Sequence, residues 1–312
     1  MTGTAILCSG QGAQGAGMFA LLADAPEAAS VFEAAKALLD GADPRELVHA
    51  ASDEELHANR LGQILCCTQT LAAWAVIRDR LSGTLVVAGY SVGELGAWGV
   101  AGLADPGEIL RLAAQRAAAM DAATTEPSSL VAIRGLDRGK LEPICVAHGT
   151  FVAIVNGSDQ MVVGGTRTAL VGFVADAGAA GATRITPLAV EVASHTPLLA
   201  EASAQFRNDL ASARLAGRIP PDMRLLSGID GAALFDVEDG ADKLARQICQ
   251  TVDWSACMET CTASSVSKVV ELGPGNGLAR MMQDAAPGID AHSLSEFRSL
   301  EGFLRWVEKP AS

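Results

Sequence analysis

The chain contains 312 residues, of which 49% are apolar and 19% charged, so it can bury a large core and is not a disordered protein. Its formal net charge of −13 excludes the overall positive field of a general nucleic-acid binder. The seven cysteines include no Cys-x-x-Cys pair. We therefore expect reduced, mostly buried thiols rather than a structural zinc site or a disulfide framework.

The amino-terminal segment does not resemble an export signal. Residues 1–12 have no basic region and only a short apolar run. The most apolar long stretch, 85–103, contains Glu94 and five glycines, which predicts a strand, a turn and a helix rather than a membrane span. We expect a soluble, cytoplasmic protein.

The first part of the chain alternates strand and helix patterns. Strands are predicted at 4–8 and 85–88, and helices at 25–39, 62–81 and 106–122. The alternation resumes after residue 196, with strands predicted at 224–227 and 269–272. This order indicates a parallel sheet covered by helices on both faces.

The pattern changes near Thr124. Strands are predicted at 130–134, 151–155 and 161–163, helices at 139–148 and 168–180, an extended segment at 183–192 and a hairpin turn at Asn156-Gly157. The order β-α-β-β-α-β is that of a ferredoxin-like domain. We therefore expect an α/β fold in which residues 1–125 and 196–312 form an α/β-hydrolase-like large domain. A ferredoxin-like small domain, residues 126–195, would be inserted into it.

A glycine-rich sequence, Gly10-Gln-Gly-Ala-Gln-Gly15, follows the first strand. Its spacing fits a dinucleotide-binding turn, but that site needs an acidic residue at the end of the second strand. The acid at about that spacing, Glu33, falls inside a predicted helix. We interpret the glycines as a tight strand-to-helix turn that also presents Gln11 and main-chain N–H groups to an oxyanion.

The sequence Gly89-Tyr-Ser-Val-Gly93 lies between a β-branched strand and a helix. Gly-x-Ser-x-Gly in this context predicts a nucleophile elbow, a sharp turn that exposes the hydroxyl of Ser91. The N–H of Val92, at the start of the helix, can then stabilise a developing oxyanion. The alternative is a purely structural turn.

Arg116 interrupts the apolar face of a predicted helix. It follows Leu112 and Ala113 and precedes Met120 at helical spacing. Its guanidinium either extends to solvent or is buried and binds a carboxylate, which its planar shape suits.

A serine nucleophile needs a base, and the chain has five histidines. His195 lies at a predicted strand-to-helix junction, which favours it over His292, while His49, His57 and His148 lie in helical surroundings.

Two further segments have ordinary structural explanations. Residues 273–277 predict a tight turn into a helix, which could also line a cleft. Arg207, Arg214, Arg218 and Arg224 form a loose basic stretch that is either solvated surface or a docking patch for an anionic partner.

An ordered set of motifs resembles the malonyl-CoA:acyl-carrier-protein transacylase family through most of the chain. The shared motifs are GQGAQ, GYSVGE, RAAAM at 116–120, SLVAIRGL, VNGSDQMVVGG, Ser194-His195, the Q-x5-D-W that ends at Trp254, and ELGPG.

The resemblance implies a role for each matching residue. Ser91 would take the acyl group from the CoA thioester, with His195 as general base and then acid. Arg116 would bind the free carboxylate of the malonyl group. Gln11 and the Val92 N–H would form the oxyanion hole. The carbonyl that orients the histidine would be that of Gln247 rather than Gln250.

Tyr90, the only tyrosine, departs from the family pattern, which usually has histidine before the serine. GYSVGE resembles the epsilon (transacylase) subunit of bacterial malonate decarboxylase. The acceptor implied is then the carrier subunit of that enzyme, with its phosphoribosyl-dephospho-CoA arm, and otherwise an acyl carrier protein of fatty-acid synthesis. The sequence around His195 also resembles transacylases for branched malonyl groups. The resemblance implies no bound cofactor and no metal.

Two other functions remain open from the residues alone. An α/β-hydrolase, a thioesterase or esterase, would use the same elbow with Asp236 and His292, in the chain order of that class. The other function is that of a non-catalytic carrier-docking subunit, in which neither Ser91 nor a histidine would take part in catalysis.

Overall fold

The computed structural model describes residues 3–309. Its strands are β1 (Gly3–Cys8), β2 (Leu85–Gly89), β3 (Ser128–Arg134), β4 (Phe151–Gly157), β5 (Gln160–Thr166), β6 (Arg184–Pro187), β7 (Met223–Leu225), β8 (Val252–Asp253), β9 (Val266–Leu272) and β10 (Asp290–Ser293). Its helices are α1 (Ala29–Leu38), α2 (Pro44–Ala50), α3 (Asp53–His57), α4 (Asn59–Ile77), α5 (Gly93–Val100), α6 (Pro106–Ala123), α7 (Arg138–His148), α8 (Arg167–Ala179), α9 (Ala200–Ala211), α10 (Val237–Arg246), α11 (Trp254–Ala263), α12 (Gly277–Ala285) and α13 (Leu300–Glu308).

A five-stranded parallel sheet in the order β10-β9-β1-β2-β7 forms the centre of the molecule. Successive residues of β1 enter two different cores: Ile6 and Cys8 pack on one face and Ala5 and Leu7 on the other. A strand buried on both faces reads as a continuous apolar run, and the parallel sheet confirms the prediction drawn from the alternation of strands and helices.

Helices cover both faces of this sheet. The larger core joins one face to α1, α4, α5, α6, α9 and α13, and the smaller core joins the other face to α11 and α12. Asp105 caps the amino terminus of α6, since its side chain accepts from the N–H of Glu108. Between residues 3 and 309 no helix is both long and apolar enough to cross a membrane.

A second five-stranded sheet has the order β6-β3-β5-β4-β8. Strands β3 to β6 pair antiparallel, and α7 and α8 pack beside them around a separate core. The fifth strand, β8, comes from the part of the chain that the sequence-based boundary assigned to the large domain, and it pairs parallel with β4. Residues after 195 therefore contribute to both sheets.

Three local predictions were wrong. Asn156 and Gly157 lie within β4, and the hairpin turn falls on Ser158 and Asp159 instead. Within the predicted extended segment 183–192, only Arg184–Pro187 pairs as a strand. The glycine-rich sequence after β1 does not turn directly into a helix, because the first helical residues begin at Pro26.

Candidate active site

Ser91 lies on a sharp turn between β2 and α5, at the carboxyl edge of the parallel sheet. Its backbone φ is 55°, in the left-handed region that non-glycine residues rarely adopt. A Cβ at Gly93 would overlap the carbonyl of Cys8, and one at Gly89 would overlap the backbone of Gly93. Both glycines are therefore needed for the close packing that holds Ser91 in this conformation.

His195 lies against the hydroxyl of Ser91, with its Nε2 2.8 Å from Ser91 Oγ. Its Nδ1 lies 2.6 Å from the main-chain oxygen of Gln247. Because a carbonyl only accepts hydrogen bonds, Nδ1 carries the proton, and Nε2 is free to accept from the serine. The side chain of His195 is thus oriented as a base for Ser91.

The backbone of His195 is also held in place. Its φ is 63°, and its N–H donates to the carbonyl of Ile248 at 2.8 Å. The segment after α10 therefore fixes both the main chain and the imidazole of His195. Gln250, the other glutamine considered for orienting the histidine, is exposed. Burial, together with the nearby charge of Arg116, lowers the pKa of His195 to about 3, although the hydrogen bond to the Gln247 carbonyl acts in the opposite direction. His195 is neutral at pH 7.

The sequence predicts an oxyanion hole formed by the Val92 N–H and the Gln11 side chain. Among residues 3–309 the N–H of Val92, which precedes α5, donates no hydrogen bond. Gly10 packs so closely on the elbow that a Cβ there would lie 2.7 Å from the carbonyl of Tyr90. Gln11 follows Gly10 directly, and its side-chain amide donates a long 3.4 Å hydrogen bond to the carbonyl of Asn59.

Arg116 is buried, with 1% of its surface exposed. Its guanidinium donates to the side-chain oxygens of Gln63 at 2.8 Å and Gln247 at 3.2 Å, and its Nε has no hydrogen-bond partner among residues 3–309. None of the ion pairs within the described residues includes it. Burial lowers the pKa of Arg116 to about 10, so it stays charged at pH 7. The solvent-exposed alternative for this side chain was wrong.

The side chain of Gln247 links these groups. Its Nε2 donates to the carbonyl of Ser91 at 3.1 Å and to Glu94 Oε2 at 2.5 Å, while its Oε1 accepts from Arg116. Burial raises the pKa of the Glu94 carboxyl to about 7, against hydrogen bonds from the N–H of Gly228 and from Gln247. Sequence reasoning missed Glu94 and Gln63, although Gln63, like Arg116, is a polar residue within a largely apolar helix.

Tyr90 packs edge-to-face on Trp254, with ring centroids 5.4 Å apart. Burial raises the pKa of its hydroxyl to about 12. The residue that departs from the family pattern is therefore a neutral packing residue beside Ser91.

The residues of the hydrolase alternative lie elsewhere. His292 is on the edge strand β10 and contacts Asp290 and Glu296, and Asp236 caps α10. The sequence 273–277 forms the expected turn into α12, with positive φ at Gly273 and Gly275.

The basic stretch does not form one free patch. Arg207 pairs with Asp242, Arg214 with Glu108, and Arg224 donates to Ser264. Arg224 lies on β7 opposite Val86, before the carboxyl edge where Ser91 lies. Two of the four arginines are therefore compensated by acidic side chains.

Ser91 lies on an elbow at the carboxyl edge of a parallel sheet, and a neutral histidine accepts its hydrogen bond. Such a pair is the kind of site that forms an acyl-serine. Over residues 6–227 the sequence matches the acyl transferase domain family. The chain belongs to this family and is an acyltransferase.

Similarity to individual members extends over nearly the whole chain. The malonyl CoA-acyl carrier protein transacylase of Salmonella typhimurium is 30% identical, covering 97% of this chain and 99% of that protein. The crystal structure of the acyl-carrier-protein S-malonyltransferase from Burkholderia pseudomallei has a TM-score of 0.88 at 28% identity, covering 97% of this chain and 99% of that one. A malonyl-transacylase solved in complex with a type II PKS acyl-carrier protein has a TM-score of 0.89 at 28% identity, with coverage of 97% and 99%.

Proposed function

We propose that the protein transfers a malonyl group from malonyl-CoA, through an acyl-Ser91 intermediate, to the thiol of an acyl carrier protein. The observation that carries this proposal is Arg116, a buried guanidinium linked to the Ser91–His195 pair through Gln247 and bonded, among residues 3–309, only to neutral amides. The Glu94 carboxyl is near enough to favour the charged form of Arg116 but is joined to it only through Gln247, so an incoming carboxylate could bind the guanidinium directly and offset the cost of burying its charge. The names of the similar transacylases support the same substrate.

In the first half-reaction Ser91 Oγ attacks the thioester carbonyl of malonyl-CoA and gives its proton to His195 Nε2. The tetrahedral oxyanion accepts hydrogen bonds from the Val92 N–H and the Gln11 side chain. The C–S bond then breaks, and the departing CoA sulfur takes the proton from His195. The product is malonyl-Ser91 and free CoA.

In the second half-reaction the thiol of the carrier gives its proton to His195 and attacks the ester carbonyl of malonyl-Ser91. The C–O bond to Ser91 breaks, and Ser91 Oγ regains the proton from His195. The Gln247 carbonyl keeps the imidazole in the required tautomer throughout. In this proposal the reaction needs no bound cofactor and no metal, and the CoA and the carrier arm are its substrates.

Arg116 supplies the selectivity for an acyl group that ends in a carboxylate. The planar guanidinium binds a carboxylate through two parallel hydrogen bonds, whereas an acetyl group would leave the charge uncompensated.

The carrier that we favour is the carrier subunit of malonate decarboxylase, with its phosphoribosyl-dephospho-CoA arm. The support for this choice is the GYSVGE elbow, in which Tyr90 packs on Trp254. The second candidate is the acyl carrier protein of fatty-acid synthesis, which the names of the similar proteins favour. Malonyl transfer from the loaded enzyme to each purified carrier, measured in parallel, decides between the two.

Intact-protein mass spectrometry after brief exposure to malonyl-CoA tests the function. We expect one malonyl group on the wild type and none on Ser91→Ala. Absence of a malonyl adduct on the wild type, or equal loading of Ser91→Ala, would contradict the proposal.

We also infer that residues 126–195 form a ferredoxin-like domain inserted into an α/β-hydrolase-like large domain of residues 1–125 and 196–312. The order β-α-β-β-α-β and the neighbouring strands β6-β3-β5-β4 support the first part. The elbow between β2 and α5 supports the second.

A further inference from the structure

Glu94 is a buried carboxyl group that the proposed reaction does not use. It lies in the first turn of α5, three residues after Ser91, with no exposed surface. Its Oε2 accepts from Gln247 Nε2 and from the N–H of Gly228, and its Oε1 has no partner in the part of the chain that the structure describes. A carboxyl group is expensive to bury without a cation in contact, so a neutral residue would serve a purely structural position better.

The contacts of Glu94 fix the orientation of the Gln247 amide. The Nε2 of Gln247 faces two acceptors, Glu94 Oε2 and the carbonyl of Ser91, and its Oε1 faces the guanidinium of Arg116. Rotating the amide by half a turn would set its oxygen against those two acceptors and its NH₂ group against a cation. With Glu94 in place, only one orientation satisfies every partner.

This orientation determines how Arg116 is held. Within residues 3–309 the guanidinium has two anchors, the side-chain oxygens of Gln63 and Gln247, and its Nε is unpaired. The Gln63 amide is itself fixed, because its Nε2 donates to the side chain of Asn59 at 2.7 Å. Glu94 thus fixes the amide of Gln247 in the same way as Asn59 fixes the amide of Gln63.

We propose that Glu94 is a positioning residue that, by fixing the Gln247 amide, directs the guanidinium of Arg116 towards the carboxylate of the acyl group. The proposal rests on the function proposed above. Glu94 does not touch the substrate, and its effect passes through Gln247.

Three variants separate the geometry of Glu94 from its ability to ionise. Glu94→Gln cannot ionise but can place a carbonyl oxygen where Oε2 lies, so that both hydrogen bonds remain. Glu94→Asp keeps a carboxyl group but withdraws it by one methylene. Glu94→Met keeps the volume and has no acceptor.

We expect Glu94→Met and Glu94→Asp to lower kcat/KM for malonyl loading of Ser91 by roughly 10²-fold, the typical effect of a misplaced binding group. Glu94→Gln should stay close to wild type. Labelling of Ser91 by a fluorophosphonate, which carries no carboxylate, should change little in all three. In the Gln247→Leu background, Glu94→Met should cause no further loss.

Wild-type malonyl loading in both Glu94→Met and Glu94→Asp would overturn the proposal. So would an equal loss of fluorophosphonate labelling, or losses from Glu94→Met and Gln247→Leu that multiply in the double variant. If Glu94→Met does not fold, Glu94→Asp compared with Glu94→Gln makes the same test. A wild type that takes up no malonyl group would instead contradict the proposed function.

Discussion

Ser91 and His195 meet from two left-handed backbone positions, with φ of 55° and 63° and a distance of 2.8 Å between Oγ and Nε2. Each such position costs on the order of 1 kcal/mol or more for a residue with a side chain. The surrounding packing must offset this cost. Close glycine contacts hold Ser91, and the main chain at Gln247 and Ile248 holds His195.

Replacing His195 should remove the general base, and we expect no other histidine to act in its place. We expect His195→Ala to slow acylation of Ser91 by about 10²- to 10⁴-fold, the usual contribution of a general base. His292→Ala is the matched control, because His292 contacts Asp290 and Glu296 on the edge strand. Rapid-quench measurement of malonyl loading compares them. A larger loss in His292→Ala would favour the hydrolase arrangement with Asp236.

The elbow should not tolerate a methyl group at Gly93. Its Cβ would overlap the carbonyl of Cys8, and relieving that overlap should cost about 1–3 kcal/mol. Gly277→Ala is the control, since a Cβ there has no atom within 4 Å and its backbone φ is not positive. The free energy of unfolding of Gly277→Ala should be at least that of the wild type, with a gain of up to about 1 kcal/mol. Urea unfolding measures both variants, and an unchanged midpoint for Gly93→Ala would show that the elbow is not tightly packed.

The imidazole of His195 should stay neutral far below the usual histidine range. Burial and the charge of Arg116 lower its pKa to about 3. Arg116→Met removes the second cause, so the pKa should rise in that variant. NMR titration of the histidine Cε1 carbons gives the midpoint, with Arg214→Met, a change at an exposed arginine, as control. A midpoint near 6.5 in the wild type would show that the imidazole is hydrated.

The same shift links His195 to stability. The unfolded chain protonates this imidazole near pH 6.5 and the folded chain near 3. Between these values the folded state binds fewer protons. The contribution of His195 to the free energy of unfolding therefore falls as the pH drops from about 6.5 to about 3.

The elbow could be predicted because its signal is local, and the parallel sheet because strand and helix patterns alternate along the chain. Gly89, Ser91 and Gly93 lie within five consecutive residues, at the end of a strand that is buried throughout. Arg116 was detectable because a charge interrupts an apolar face at helical spacing. The role of Gln247 came from the family resemblance and not from any local pattern.

The parts that escaped prediction depend on contacts between distant segments. Glu94 and Gln63 are ordinary polar residues until α5, α4 and the end of α10 converge on Arg116. The turn at Ser158 and Asp159 is set by the pairing of Gly157 with Gln160, which overrides the turn preference of Asn156-Gly157. The pairing of β8 with β4 joins segments about a hundred residues apart and carries no sequence signal.

The central claim is that a buried arginine selects the acyl group that Ser91 accepts, and competition between two donors tests it most directly. The protein is exposed briefly to equal concentrations of malonyl-CoA and acetyl-CoA, and the two acyl-enzymes are counted by intact-protein mass spectrometry. An unpaired buried charge costs about 2–5 kcal/mol, so we expect malonyl-Ser91 to dominate in the wild type and the preference to collapse in Arg116→Met. Equal acetyl and malonyl loading of the wild type, or an unchanged preference in Arg116→Met, would contradict it.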